Sequence, residues 1–225
     1  MIGVEKLATS DHAADQKLLN IANFKVDTPK MEEEVVLREY LYSLRFYLLF
    51  VSLLFSCSIV LGYTGFLDAL FSESFAWIQQ LSEGIKDVTG SYPLWISFMA
   101  FFIVIFLNNA FTCFLTIITG PLIGIFPLFS AMINGGLLGW VVQEEGLAVF
   151  GAIAPHGMFE LPAYVLSVAI GLRVAREVFK RRAKRRLKMT LGEGLRVYLT
   201  LIVPLLIVAA LIESALIVIT LLLSP

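Results

Sequence analysis

The chain has 225 residues, 58% of them apolar and only 16% charged, with a mean hydropathy of +0.84. Soluble domains carry about 25% charged residues, so a soluble globular fold is excluded and a polytopic all-α membrane protein is expected. The net charge of −1 hides a strong asymmetry, because nine of the basic side chains fall within residues 173–188.

The first 44 residues are polar, with one amphipathic stretch from Leu18 to Val26, and hold no apolar core of a signal peptide. They read as a cytoplasmic segment, 1–44, preceding a transmembrane domain, 45–225. A helix is expected from Met31, where Glu32, Glu33 and Glu34 suit the positive end of its dipole. It leads into a first span over Arg45 to Phe66, uncharged after Arg45 and long enough to cross about 30 Å of hydrocarbon.

In the loop 67–92, Phe71, Phe75, Trp77, Ile78 and Leu81 recur at near-helical spacing, predicting a short amphipathic helix at the interface. Tyr92 and Trp95 read as interfacial anchors. The second span is expected over Pro93 to Thr119 and the third over Leu122 to Val142, separated by Gly120-Pro121. Residues 147–154 are apolar but too few to cross, and Pro155-His156-Gly157 follows. A half-helix or re-entrant piece is therefore expected before a fourth span over Met158 to Val174. The fifth span runs from Val197 to Leu223 and contains Pro204 and Glu213. Cys57 and Cys113 lie inside apolar runs and read as small core residues.

Arg173, Arg176, Lys180, Arg181, Arg182, Lys184, Arg185, Arg186 and Lys188 form a basic loop, whereas 67–92 has a single lysine. The positive-inside rule puts this loop and the N-terminus in the cytoplasm of a cell-membrane protein, and five spans then put the C-terminus outside. The same loop is expected to attract anionic lipid headgroups, at about 1 kcal/mol per basic residue. It abuts a span and lacks interleaved aromatics, so no nucleic-acid binding is expected.

Polar residues recur at one depth. Asn109 lies eleven residues before Gly120, and Glu160 eleven before Gly171. With Gly120 and Gly171 near the cytoplasmic boundary, both side chains sit about 16 Å above it. Asn134 and Glu213 reach similar depth on the outward spans, and Asn108 and His156 complete a cluster expected to face inward. Spans two–three and four–five thus share a coarse pattern of polar residue and glycine. The asparagines read as helix-packing hydrogen bonders. For Glu160 and Glu213 a structural and a functional role stay equally open, since the only basic residue on either span, Arg173, lies thirteen residues from Glu160. His156 and Glu160 are four apart, on one helical face if Gly157 stays helical. Their HxxxE spacing is not that of zinc proteases, and neither a metal nor another cofactor is expected. There is no G-x-S-x-G, and the other histidine, His12, lies in the polar N-terminal segment, so no enzymatic activity is expected. Gly120 with Gly124, and Gly135 with Gly139, stand four apart and, with Gly136 and Gly171, read as sites of close helix approach. Span three is accordingly expected to be the central helix, and the same motif would serve a homo-oligomer.

The order Asn109, Gly120, Gly124, Asn134-Gly135, Gly139, Pro155-His156-Gly157-x-x-Glu160-Leu161-Pro162-Ala163, Gly171 resembles the stage II sporulation protein M family of integral membrane proteins. The resemblance is clear over 108–171, with Pro-His-Gly-x-x-Glu-Leu its most specific part. It implies a non-enzymatic scaffold or recruitment role. In endospore formers the founding member joins two partner proteins, one a peptidoglycan-degrading enzyme, in a complex needed for engulfment. Membrane-protein partners are therefore expected, and no catalytic residue carries over. The reading from residues alone keeps an alternative open: a transporter or channel-like protein for a small solute, proton or lipid, using the Glu/Asn/His cluster.

Overall fold

A computed structural model describes residues 37–66, 68, 93–180 and 186–223. The stretch 18–26, the start of the helix at Met31, the interfacial helix over 71–81, Tyr92 and the basic residues within 181–185 lie outside the described residues. The chain divides into two units, Met1–Ser43 and Leu44–Pro225. In the first, residues 37–43 are helical.

The second unit is a helical bundle, with no strand among the described residues. Its elements are α1 (Arg45–Tyr63), α2 (Leu94–Ile118), α3 (Ile125–Glu145), α4 (Val149–Phe179), α5 (Leu187–Val197), a π-helical turn (Tyr198–Ile202) and α6 (Val203–Leu223). Five helices are long and apolar enough to cross a membrane, α5 through α6 counting as one rod of 37 residues. The chain is a multi-pass membrane protein. Large apolar side chains such as Phe46, Leu53, Val104, Phe111 and Leu222 stay exposed on the bundle, as lipid contact requires.

Each boundary has a local cause. Between α2 and α3 the chain reverses through Ile123 (φ 61°) and Gly124 (φ 71°). Two consecutive left-handed residues make this turn abrupt, and for a β-branched residue such as Ile123 that conformation is unusual. The turn delays α3 to Ile125, three residues beyond the expected start. Pro127 then falls in the first helical turn, where its missing N–H costs nothing. The π turn stands directly before Pro204. A proline cannot donate to the carbonyl four residues back, and its ring crowds that carbonyl. Here the backbone widens instead, and the Val203 N–H bonds to the Tyr198 carbonyl, five residues back.

Three expectations are corrected. The break before the fourth span is absent: α4 is one helix of 31 residues with Pro155 and Pro162 inside it. At 1.5 Å per residue it is about 46 Å long, well beyond a hydrocarbon core of about 30 Å. The apolar run 147–154 largely forms its first turns, and the chain break falls earlier, at Gly146 (φ 78°). The central helix is α4 rather than α3. Half of α4's apolar window is buried, against 39% for α3, and α4 packs on α1, α2, α3, α5 and α6. Cys57 also departs from its expected core position, being exposed, whereas Cys113 is buried.

The glycines explain the two tightest crossings. On α3, a Cβ placed on Gly139 would lie 1.9 Å from the Ile59 carbonyl oxygen, and one on Gly135 would lie 2.7 Å from that of Phe55. On α1, Gly62 answers them, with Gly136 O 2.0 Å from its would-be Cβ. Backbone thus meets backbone along the α1–α3 seam. The second crossing joins the end of α2 to α4: a Cβ on Gly120 would sit 2.4 Å from Gly171 O, and one on Gly171 2.4 Å from Thr116 O. Gly124 adds its left-handed turn beside Ala175 and Leu172 of α4.

At the α4–α5 connection, Glu177 is 5% exposed. Its carboxylate accepts from Lys180 Nζ and, at 3.1 Å, from the Arg186 backbone N–H. Arg173 pairs with Glu193 of α5 at 3.6 Å. Part of the basic segment is therefore bound into the connection itself. Glu177→Ala is expected to cost about 1–3 kcal/mol, because it leaves the Arg186 amide without its acceptor. An unfolding midpoint in detergent will read this against Glu144→Ala, an exposed site expected to stay within about 0.5 kcal/mol.

Candidate functional site in the bundle

The Gly120–Gly171 contact sets a common origin for α2 and α4 near one end of the bundle. Eleven residues back along each helix stand Asn109 and Glu160. Equal rise brings them level, and both are on the walls of the same cavities. Asn108 donates to Asn109 Oδ1 at 3.4 Å.

His156 lies one turn before Glu160 on unbroken helix, so the two share a face. Glu213 arrives from the middle of α6, which packs along both α2 and α4. The donor atoms of His156, Glu160 and Glu213 all lie within 4.8 Å of one another. All three residues are half-buried. His156 Nδ1 is buried without a hydrogen-bond partner.

Two cavities adjoin this group. One, of about 250 Å³, is bounded by α1, α2, α3, α4 and α6, and Asn108, Asn109, Asn134, His156, Glu160 and Tyr164 are on its wall. The other, of about 280 Å³, is lined by Val104, Ile105, Asn108, Asn109, His156, Glu160 and Glu213. The four residues common to both walls come from α2 and α4. Asn134 therefore stands on one side of the cluster and Glu213 on the other.

Asn134 has different company from that expected. Its Nδ2 donates to the Ser130 carbonyl at 2.9 Å and to Tyr164 Oη at 3.1 Å. Tyr164 Oη and Ser130 Oγ share a hydrogen bond of 2.7 Å. This Ser130–Asn134–Tyr164 network ties α3 to α4, and the Tyr164 ring leans on Phe55 of α1 with centroids 6.1 Å apart. Neither Ser130 nor Tyr164 stands out in the sequence, although each is readable afterwards: Tyr164 is four residues beyond Glu160, and Ser130 four before Asn134. Gly120, Gly124, Gly135, Gly136, Gly139 and Gly171 line helix crossings and turns, and none is on the wall of either cavity.

Chemically, the site offers an imidazole, two carboxylates and carboxamides inside a stretch without cationic side chains. It is equipped to hold protons, water or a cation.

An uncharacterized protein of Methanocaldococcus jannaschii is 31% identical over 134 residues, covering 56% of this chain. The aligned region spans 57% of that relative's length. No solved structure matches the chain. The family model described as stage II sporulation protein M matches residues 40–216, taking in every helix of the bundle and the whole polar cluster, so the chain belongs to the stage II sporulation protein M family.

Proposed function

We propose that this protein is a non-enzymatic scaffold or recruitment component of a membrane complex. It sits in the cell membrane with its N-terminus in the cytoplasm and its C-terminus outside. The observation that carries the reading is the family match across 40–216. The concentration of basic residues at 173–188 supports the orientation, and such a segment attracts anionic headgroups. Its partners are membrane proteins, and a second copy of the chain is one of them.

A second reading is favoured by one feature, the cavity of about 250 Å³ lined by Asn108, Asn109, Asn134, His156 and Glu160. A chamber of that size beside a carboxylate suits passage of a proton or small solute. Reconstitution separates the two. The scaffold reading expects purified protein in dye-loaded liposomes to give no flux above empty vesicles. It also expects cross-linking in native membranes to return a stoichiometric protein partner that delocalises when this chain is deleted. Flux that disappears in Glu160→Gln and Glu213→Gln would replace it with the transport reading.

A further inference from the structure

We infer that His156, Glu160 and Glu213 form a binding site for a first-row divalent transition-metal ion, of the Zn²⁺ or Mn²⁺ kind, joining α4 to α6. The inference goes beyond the scaffold role and stands independently of it.

Geometry comes first. An ion bound at about 2.0–2.2 Å to each of three ligands holds their donor atoms about 3.4 Å apart. The three donor atoms here already lie within 4.8 Å of one another, a gap that small side-chain rotations close. The backbone is fit to hold them. His156 and Glu160 are one turn apart on a continuous helix, and Glu213 projects from a neighbour packed along it.

The second observation is His156 itself. Its Nδ1 is buried and has no hydrogen-bond partner. A buried polar atom left unsatisfied costs about 1–3 kcal/mol, and such an atom calls for an explanation such as a missing ion. Coordination of the ion by Nδ1 would satisfy that atom and orient the imidazole.

Charge is the third. Residues 94–145, 149–172 and 197–223 contain no lysine or arginine, so no cationic side chain from these stretches can offset the two carboxylates. Charged groups within a membrane are paired or face a watery cavity, and a divalent cation would offset both at once. Asn109, which shares both cavity walls with Glu160, is placed to orient that ligand, as partners of metal ligands commonly do. Asn108 and Asn109 also line the cavity of about 280 Å³ beside the triad, which leaves room for water at the remaining coordination positions.

The ligand set selects the metal class. Imidazole with carboxylates suits Zn²⁺, Mn²⁺ or Fe²⁺. It lacks the thiolates or thioethers of Cu(I) sites and the all-oxygen shell that Ca²⁺ and Mg²⁺ prefer.

The test uses the full chain without a polyhistidine tag, in nanodiscs, stripped with chelator and titrated calorimetrically with Zn²⁺, then with Mn²⁺. A His12→Ala background removes the other histidine. The expected result is one ion per chain, with affinity lowered at least about tenfold in each of His156→Asn, Glu160→Gln and Glu213→Gln. Glu144→Ala, at an exposed position away from both cavities, should retain it. X-ray absorption of the Zn²⁺-loaded unsubstituted protein should show one imidazole among oxygen ligands, a readout that survives if a variant fails to fold. Absence of stoichiometric binding, binding that persists in the Glu160→Gln/Glu213→Gln double variant, or a zinc spectrum without imidazole would each overturn the site. Tighter proton uptake without metal binding would assign the carboxylates to shared protons instead.

Discussion

Gly139→Ala is expected to lower the stability of the bundle by about 3 kcal/mol, and Gly139→Leu to prevent its assembly. The added methyl would stand 1.9 Å from the Ile59 carbonyl oxygen, 2.7 Å from its carbon and 2.9 Å from the Tyr63 nitrogen. All three are backbone atoms, so no side chain can turn aside. The α1–α3 seam must open along its length, because Gly62 on α1 and Gly135 on α3 are in similar contact. Overpacking a close-packed interior costs about 1–3 kcal/mol, and a clash against backbone belongs at the top of that range. In lipid, apolar burial gives little drive for helices to associate, so the close van der Waals contact being lost is a principal source of cohesion. Gly151→Ala is the matched control, since nothing lies within 4 Å of its would-be Cβ. It should change stability by no more than the helix-propensity difference, about 1 kcal/mol. Reversible unfolding in mixed micelles, followed by helical circular dichroism, measures both. A Gly139→Ala midpoint equal to that of Gly151→Ala would contradict the seam.

The second large effect is expected at Tyr164. Tyr164→Phe removes a hydroxyl that is hydrogen-bonded to both Ser130 and Asn134 while keeping the ring against Phe55. A hydrogen bond between membrane helices averages only about 0.6 kcal/mol. Here one hydroxyl serves two partners at a site where Tyr164 and Ser130 are both buried, and its loss leaves them under-satisfied. The expected cost is about 1–3 kcal/mol. A double-mutant cycle with Ser130→Ala should return a coupling above about 0.5 kcal/mol. Coupling near zero would mean that water replaces the hydroxyl from the adjoining cavity.

Five spans were legible because the signal is one-dimensional: long apolar runs, separated by the polar loop 67–92, by Gly120-Pro121 and by the basic segment. Depth was legible for the same reason. Counting residues from Gly120 and Gly171 places Asn109 and Glu160 level, and the two share both cavity walls. The error at Pro155 has a physical origin. Proline in a soluble helix normally ends or kinks it, but neighbouring helices and local adjustment satisfy the freed backbone groups in a membrane bundle, so α4 continues through both of its prolines.

By itself, then, the sequence determined the number of spans, their order, and the height of each polar residue along its own helix, since composition and rise per residue suffice for these. Only the tertiary structure decided which helix is central, that Gly62 completes the α1–α3 seam, that Asn134 turns to Ser130 and Tyr164, and that His156, Glu160 and Glu213 converge. A soluble helix announces its buried face by the alternation of apolar and polar residues. A helix bathed in lipid is apolar on nearly every side, so its rotation and its neighbours are chosen by backbone approach at glycines and by the few side chains that must find hydrogen bonds. Those choices appear only once the helices are packed.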